Sequence, residues 1–210
     1  MRTRIKFCGI TTEEDALAAV RFGADALGFV MSESPRQIHP EKALAIIEKL
    51  PPMVTTIGVF VNEPADYVEH TAELCKFNII QLQGSEDLNQ YSWKIPIIKA
   101  YKVGQQKNFN CENFDQRVCA YLFDSLNQNK AGGTGVAFDW NILWGSDFPK
   151  PVILAGGLNP DNVKDAIKLL RPYAVDVSSG IEKAKGIKDW RLMSEFVQQV
   201  RNADETINTV

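Results

Sequence analysis

Three side chains stand at or near the ends of short apolar runs and have the chemistry to exchange protons with a small molecule. They are Cys8, which closes the run Arg4–Cys8, Asp124, which follows Val118–Phe123, and Asp176, in the run Ala174–Val177. A thiolate removes a proton and a protonated carboxyl donates one, so these residue types can supply general base and general acid. The chain holds only two histidines, His39 beside Pro40 and His70 inside a helical stretch, and both read as structural. Each candidate also has a plainer reading. A cysteine is often a small buried hydrophobe, the reading preferred for Cys75, and an aspartate after a strand often caps a helix or forms a turn, as Asp161 does.

Three glycine-containing segments follow the sixth, seventh and eighth runs: Gly132-Gly133-Thr134-Gly135, Gly156-Gly157 and Ser178-Ser179-Gly180. Glycine lets backbone N–H groups approach an anion, and helix N-termini add a favourable dipole. Any one segment alone reads as a tight turn; the three together point to a phosphate site made by Gly133, Gly135, Gly156, Gly157, Ser179 and Gly180. A dinucleotide is disfavoured, because no G-x-G-x-x-G joins a first strand to a first helix. Arg36, in Ser34-Pro35-Arg36 after the second run, suits a carboxylate or phosphate, or equally a solvated loop.

The elements that must position these groups alternate between apolar, β-branched runs and helical patterns, the signature of β-α units around a parallel sheet. Eight runs are expected as strands: Arg4–Cys8, Asp25–Val30, Thr55–Phe60, Asn78–Gln81, Ile95–Ala100, Val118–Phe123, Pro151–Leu154 and Ala174–Val177. Thr11-Thr12-Glu13-Glu14 opens a helix over Asp15–Phe22 that Gly23 closes, Pro40 heads Glu41–Leu50, and Asn159-Pro160-Asp161 opens Asn162–Leu170. Gly104–Gln116 is polar and ambiguously helical, and Asn202–Val210 reads as a polar, partly frayed tail. No linker divides the chain, so one domain over residues 1–210 is expected. Eight such units close into a (β/α)8 barrel or lie open as a doubly wound sheet. In a barrel the strand-end residues converge at one mouth, where the loops after strands seven and eight form the usual phosphate site.

Composition removes other classes. With 210 residues, 45% hydrophobic, the chain can bury a full core without disulfide or metal staples. A net charge of -3 and the absence of a basic block argue against nucleic acid, and no apolar run approaches membrane-spanning length. Four cysteines far apart, Cys8, Cys75, Cys111 and Cys119, with two histidines make a zinc site improbable. The start of the chain lacks the apolar core of a signal peptide, so a cytosolic location is expected.

Lys6–Thr11, Gly23–Val30, Ser34-Pro35-Arg36, Gly58-Val59-Phe60, Gln81–Glu86, Gly132–Gly135 with Phe138-Asp139-Trp140, Leu154–Leu158 and Val175–Glu182 span nearly the whole chain. Together and in this order they resemble the phosphoribosylanthranilate isomerases of tryptophan biosynthesis. The resemblance implies a single-domain (β/α)8 TIM barrel and a cofactor-free, metal-free Amadori rearrangement. In it N-(5-phosphoribosyl)anthranilate, a small phosphoribosyl substrate, becomes 1-(o-carboxyphenylamino)-1-deoxyribulose 5-phosphate. It makes Cys8 the general base, Asp124 the general acid, Arg36 and Asp176 substrate-positioning residues, and the glycine segments the phosphate grip. The family commonly has His where this chain has Gln83. Acid-base chemistry of this kind needs an aspartate pKa raised by burial or a nearby anion, and a thiol pKa lowered by positive surroundings. The rivals are another phosphosugar barrel, such as a metal-dependent epimerase or a Schiff-base aldolase, a phosphosugar-sensing protein without turnover, and a flavin barrel. The oligomeric state, monomer or homodimer, is left open by the sequence.

Overall fold

The computed structural model describes residues 2–91, 95–104, 116–125 and 139–208. Eight parallel strands close on themselves in chain order: β1 (Arg4–Cys8), β2 (Ala26–Val30), β3 (Thr55–Phe60), β4 (Ile79–Leu82), β5 (Ile97–Val103), β6 (Val118–Ser125), β7 (Val152–Leu154) and β8 (Ala174–Val177). The seam is sealed by pairing of β1 with β8, Lys6 standing opposite Asp176. Of the two architectures open to eight β-α units, the closed barrel is adopted.

Helices α1 (Glu13–Phe22), α2 (Pro40–Ile47) and α3 (Ala65–Cys75) follow the first three strands, and α4 (Val163–Leu170) follows β7. After β8 the chain forms a two-stranded antiparallel ribbon, β9 (Glu182–Ala184) and β10 (Ile187–Lys188), and then α5 (Trp190–Asn208). The local signals act as their chemistry requires. Thr12 caps α1 by accepting from the Asp15 N–H, and Gly23 ends it at φ 111°, a left-handed conformation that glycine adopts without strain.

The alternation of side chains along each strand divides the apolar residues into two populations. Ile5, Phe7, Leu27, Phe29, Tyr121, Phe123, Val175 and Val177 pack outward with the helices. Cys8, Val30, Ile57, Val59, Ile98, Ala100, Ala120, Leu122, Ile153, Ala155 and Ala174 fill the barrel interior. By the same parity Lys6, Gln81, Asp124 and Asp176 point inward, so the lumen is apolar towards one end and polar at the mouth where β1 and β6 finish.

Several boundaries differ from the sequence expectation. β2, β4 and β7 each start one residue later, and β5 runs Ile97–Val103 instead of Ile95–Ala100. β5 and β6 lengthen together because they share the ladder from Ile97 to Val103, which places Lys102 beside Asp124. α1 begins earlier, at Glu13, α4 begins one residue later, and α2 ends at Ile47, short of Leu50. The expected frayed tail is instead helix: α5 continues through residue 208, with Ala203 fully buried. It is held by Asp204, whose carboxylate accepts from the Thr3 N–H at 2.8 Å and the Thr3 hydroxyl at 2.7 Å. Most of Gly104–Gln116, including Cys111, and the segment Gly132–Gly135 with Gly133 and Gly135 lie outside the described residues.

Candidate active site

Cys8 is the last residue of β1 and Asp124 the penultimate residue of β6, so the two candidate proton carriers face the lumen at the same end of the barrel. Their surroundings differ. Around Cys8 the field is ionic. Lys6, two residues earlier on the same face, donates to Asp176 Oδ1 at 2.9 Å, and both side chains are buried. A side-chain carbon on Gly28 would meet Cys8 Sγ at 3.0 Å and Lys6 Nζ at 3.1 Å; thiol and ammonium therefore share the space that this glycine leaves open. Burial pushes the Cys8 thiol above its ordinary value, and Lys6 and Lys188 only partly oppose it. The expectation of a lowered thiol pKa is thus not met, because desolvation, with the Asp176 charge added, outweighs the two cations. Burial also works against the charge on Lys6, yet the Asp176 carboxylate and the thiol raise its pKa overall.

Around Asp124 the hydrogen-bonding contacts are neutral donors. Its Oδ1 accepts from the Ser125 N–H at 2.8 Å and its Oδ2 from Gln83 Nε2 at 3.0 Å, while Gln81 Nε2 donates to Gln83 Oε1 at 2.7 Å. Burial raises the Asp124 pKa and the Asp176 charge adds to the effect, against the Ser125 hydrogen bond and the cations Lys102 and Lys6. This is the direction a proton donor needs.

The other sequence candidates fall around the same mouth. Arg36 is buried, and its Nε and Nη2 grip Glu182 at 2.7 and 2.8 Å, so the fork expected to meet substrate is held by a carboxylate of the β9 strand. Its stem crosses Gly9, where φ is 75° and an added carbon would meet Arg36 Cδ at 2.7 Å. Asp176 likewise has its charge met by Lys6. Gly156 and Gly157 adopt φ 83° and 70°. Gly156 makes room for the carboxyl: a side chain there would run into the Ser125 N and approach Asp124 Oδ1 at 2.9 Å. Gly180 sits in the turn Ser179–Ile181 and is pressed against the Leu158 carbonyl, which locks the loop after β8 onto the loop after β7.

Besides Lys6, three side chains around the mouth escape a reading of the sequence by itself. Lys188 is completely buried and donates to the carbonyls of Cys8 at 2.6 Å and Ser178 at 3.2 Å and to Glu182 at 2.9 Å. Glu182, between Lys188 and Arg36, is held below its ordinary pKa by both cations despite its burial. Gln81 stands out in the sequence only as part of a longer motif. The available signal is parity: Lys6 and Gln81 each lie two residues before a residue already singled out, on the same strand face.

A closed parallel barrel with a thiol and a carboxyl at the ends of its first and sixth strands, and glycine-containing loops after the seventh and eighth, has the architecture of a barrel enzyme with its titratable groups gathered at one mouth. Residues 5–199 match the family model described as N-(5'phosphoribosyl)anthranilate (PRA) isomerase. The N-(5'-phosphoribosyl)anthranilate isomerase of Geobacter metallireducens is 45% identical over 201 residues, covering 94% of this chain and 98% of that protein. The phosphoribosyl anthranilate isomerase of Thermotoga maritima superposes with a TM-score of 0.85 at 37% identity, covering 95% and 99% of the two chains. A further isomerase structure, in complex with reduced 1-(o-carboxyphenylamino)-1-deoxyribulose 5-phosphate, gives a TM-score of 0.82 at 36% identity, with 95% and 99% coverage. The chain belongs to the phosphoribosylanthranilate isomerase family. Among the described residues no helix is long and apolar enough to cross a membrane.

Proposed function

We propose that the chain converts N-(5'-phosphoribosyl)anthranilate to 1-(o-carboxyphenylamino)-1-deoxyribulose 5-phosphate, an aldose–ketose isomerisation in tryptophan biosynthesis, with Asp124 as general acid and Cys8 as general base. The observation that carries the reading is the placement of these two groups on inward positions at one end of the barrel, inside the family's fold. Protonated Asp124 delivers its proton to the furanose ring oxygen. The C1–O bond breaks, the anthranilate nitrogen lone pair forms the C1=N iminium, and the C2 proton becomes acidic. Cys8 thiolate removes that proton, and the electron pair neutralises the iminium as an enolamine. Protonation at C1 and loss of the C2 hydroxyl proton then give the ketone. C1 is reduced as C2 is oxidised within one molecule and only protons are exchanged with the protein, so the steps balance without an external oxidant or reductant.

The thiol raised by burial fits a scheme in which one proton is shared. Asp124 carboxylate with Cys8 thiol, and Asp124 carboxyl with Cys8 thiolate, carry the same number of protons, so the active form exists at the pH where the other dominates. Lys6 is the group that stabilises the thiolate of that form. Gly156, Gly157, Ser179 and Gly180, with Gly133 and Gly135, hold the phosphate, while Arg36 and Asp176 position the remainder through Glu182 and Lys6. The same reading makes the chain a cytosolic protein that meets neither nucleic acid nor membrane and acts as a monomer or homodimer.

Freshly prepared phosphoribosylanthranilate should lose its anthranilate-type fluorescence on addition of purified protein in the presence of a chelator and without nucleotide. A dependence on added metal or flavin, or binding without turnover, would return the assignment to one of the rival classes. The phosphate grip is checked with a product analogue and its dephosphorylated counterpart, of which only the first should bind tightly.

A further inference from the structure

The acid of this reaction must be stable both with and without its proton, and the amides beside it are built to serve both states. In the structure the chain of hydrogen bonds runs in one direction: Gln81 Nε2 donates to Gln83 Oε1 and Gln83 Nε2 donates to Asp124 Oδ2. That polarity suits the carboxylate. A protonated Oδ2 in the same place would face an N–H group and have no acceptor, which disfavours the form that delivers the proton. Rotating a glutamine amide by half a turn exchanges its oxygen and nitrogen at little steric cost, because the two ends have nearly the same size. With both amides turned, the Asp124 hydroxyl donates to Gln83 Oε1 and Gln83 Nε2 donates to Gln81 Oε1.

Whether the turn is easy depends on what anchors the far end. Gln81 is 2% exposed, and its Oε1 has no hydrogen-bond partner among the described residues. A buried amide oxygen left unpaired is uncommon and calls for a reason. Here the missing anchor leaves Gln81 with one partner in either orientation, so the chain has little preference of its own and follows the charge on Asp124. A donor fixed on Gln81 Oε1 would instead lock the polarity and favour the carboxylate alone.

We propose that Gln81 and Gln83 form a reversible amide relay that turns with each protonation change of Asp124, accepting from the acid when it holds its proton and donating to it when the proton has gone to substrate. Both are positioning residues for the reaction. The proposal rests on Asp124 being the general acid, and it adds that Gln81, which does not touch Asp124, senses its charge through Gln83.

Side-chain amide NMR on glutamine-labelled protein reads this directly. The Gln83 and Gln81 amide signals should move together as pH is changed, with the same apparent pKa as the Asp124 carboxyl carbon. In Gln83→Met the Gln81 signal should stop responding while the Asp124 pKa stays nearly where it was, since the carboxylate loses a donor and the carboxyl loses an acceptor. Gln81→Leu should lower kcat about tenfold with KM within about twofold, the size of one well-placed hydrogen bond. A Gln81 signal flat across the Asp124 titration, or a clear upward shift of the Asp124 pKa in Gln83→Met, would show a fixed donor and overturn the relay. Failure of the acid assignment is separately visible: Asp124→Asn would then keep its turnover.

Discussion

The two sides of the barrel mouth surround their titratable groups in opposite ways. On the Cys8 side the reactive atom lies among full charges: Lys6 and Asp176 form a buried pair beside it, and Lys188 holds its own carbonyl. On the Asp124 side the contacts are neutral, a backbone N–H and an amide. A base that must become an anion in a buried place needs a cation to stabilise it. An acid that must remain neutral until it reacts is better served by groups that do not favour its ionised form strongly. The difference teaches that one apolar barrel can push both pKa values up by burial while opposing the rise at the thiol with cations and at the carboxyl first with a backbone N–H.

The largest effects should come from removing the groups themselves. Cys8→Ala and Asp124→Asn should each lower kcat at least about 100-fold while a product analogue still binds within a few-fold. Wild-type kcat/KM should fall at low pH, where both groups are protonated, and at high pH, where both have lost their protons. In Asp124→Asn the high-pH fall should vanish, and residual activity should climb until Cys8 ionises, at a pH above the wild-type optimum because burial raises that thiol. A high-pH limb that persists unchanged would place the donor elsewhere.

Lys6→Met tests chiefly the ionic side, since Lys6 is the foremost cation acting on Cys8 and the last of the influences on Asp124. The thiol should titrate at higher pH, read as thiolate absorbance in a background lacking the other three cysteines. Turnover near neutrality should fall in proportion to the thiolate lost, about tenfold if the titration midpoint moves up by about one pH unit. Removing one partner of a buried pair also costs about 3–5 kcal/mol of stability. Lys6→Met with Asp176→Asn should recover much of that stability without restoring the thiol. Recovery of activity in the double variant would mean that Lys6 acts only by satisfying Asp176.

A smaller and more selective comparison uses two glycines, each of which opens space for one reactive group. Gly156→Ala pushes into the Ser125 backbone at a left-handed φ, with no flexible atom to yield, and should cost about 1–3 kcal/mol in thermal unfolding together with much of kcat. Gly28→Ala meets only the ends of the Cys8 and Lys6 side chains. It should cost less stability, with its kinetic effect appearing as an altered thiol titration. Equal losses in both would show that the two sides are not independently built.

The strands and their inward candidates were legible because a buried parallel strand is a run of apolar residues, and a polar residue at its end has few reasons to be there. Cys8, Asp124 and Asp176 were found on that signal. Lys6 and Lys188 were not, because a lysine near a strand normally reads as a surface residue, and only tertiary partners distant in the chain make its burial tolerable. Arg36 reads from the sequence as a rim arginine suited to a carboxylate, but a separation of 146 residues hides Glu182 as the carboxylate it binds. The helical end of α5 was missed for a related reason, since its polar composition hides Ala203 and the tie from Thr3 to Asp204.

Lys188 joins the carbonyl of Cys8 to the loop after β8 across 180 positions of sequence. During synthesis Cys8 therefore precedes the lysine that seats its carbonyl by 180 residues. At a synthesis rate of about 5–20 residues per second, the nascent thiol waits on the order of ten seconds for its support. Fragments ending before Lys188 should therefore accumulate barrel-like structure without acquiring turnover.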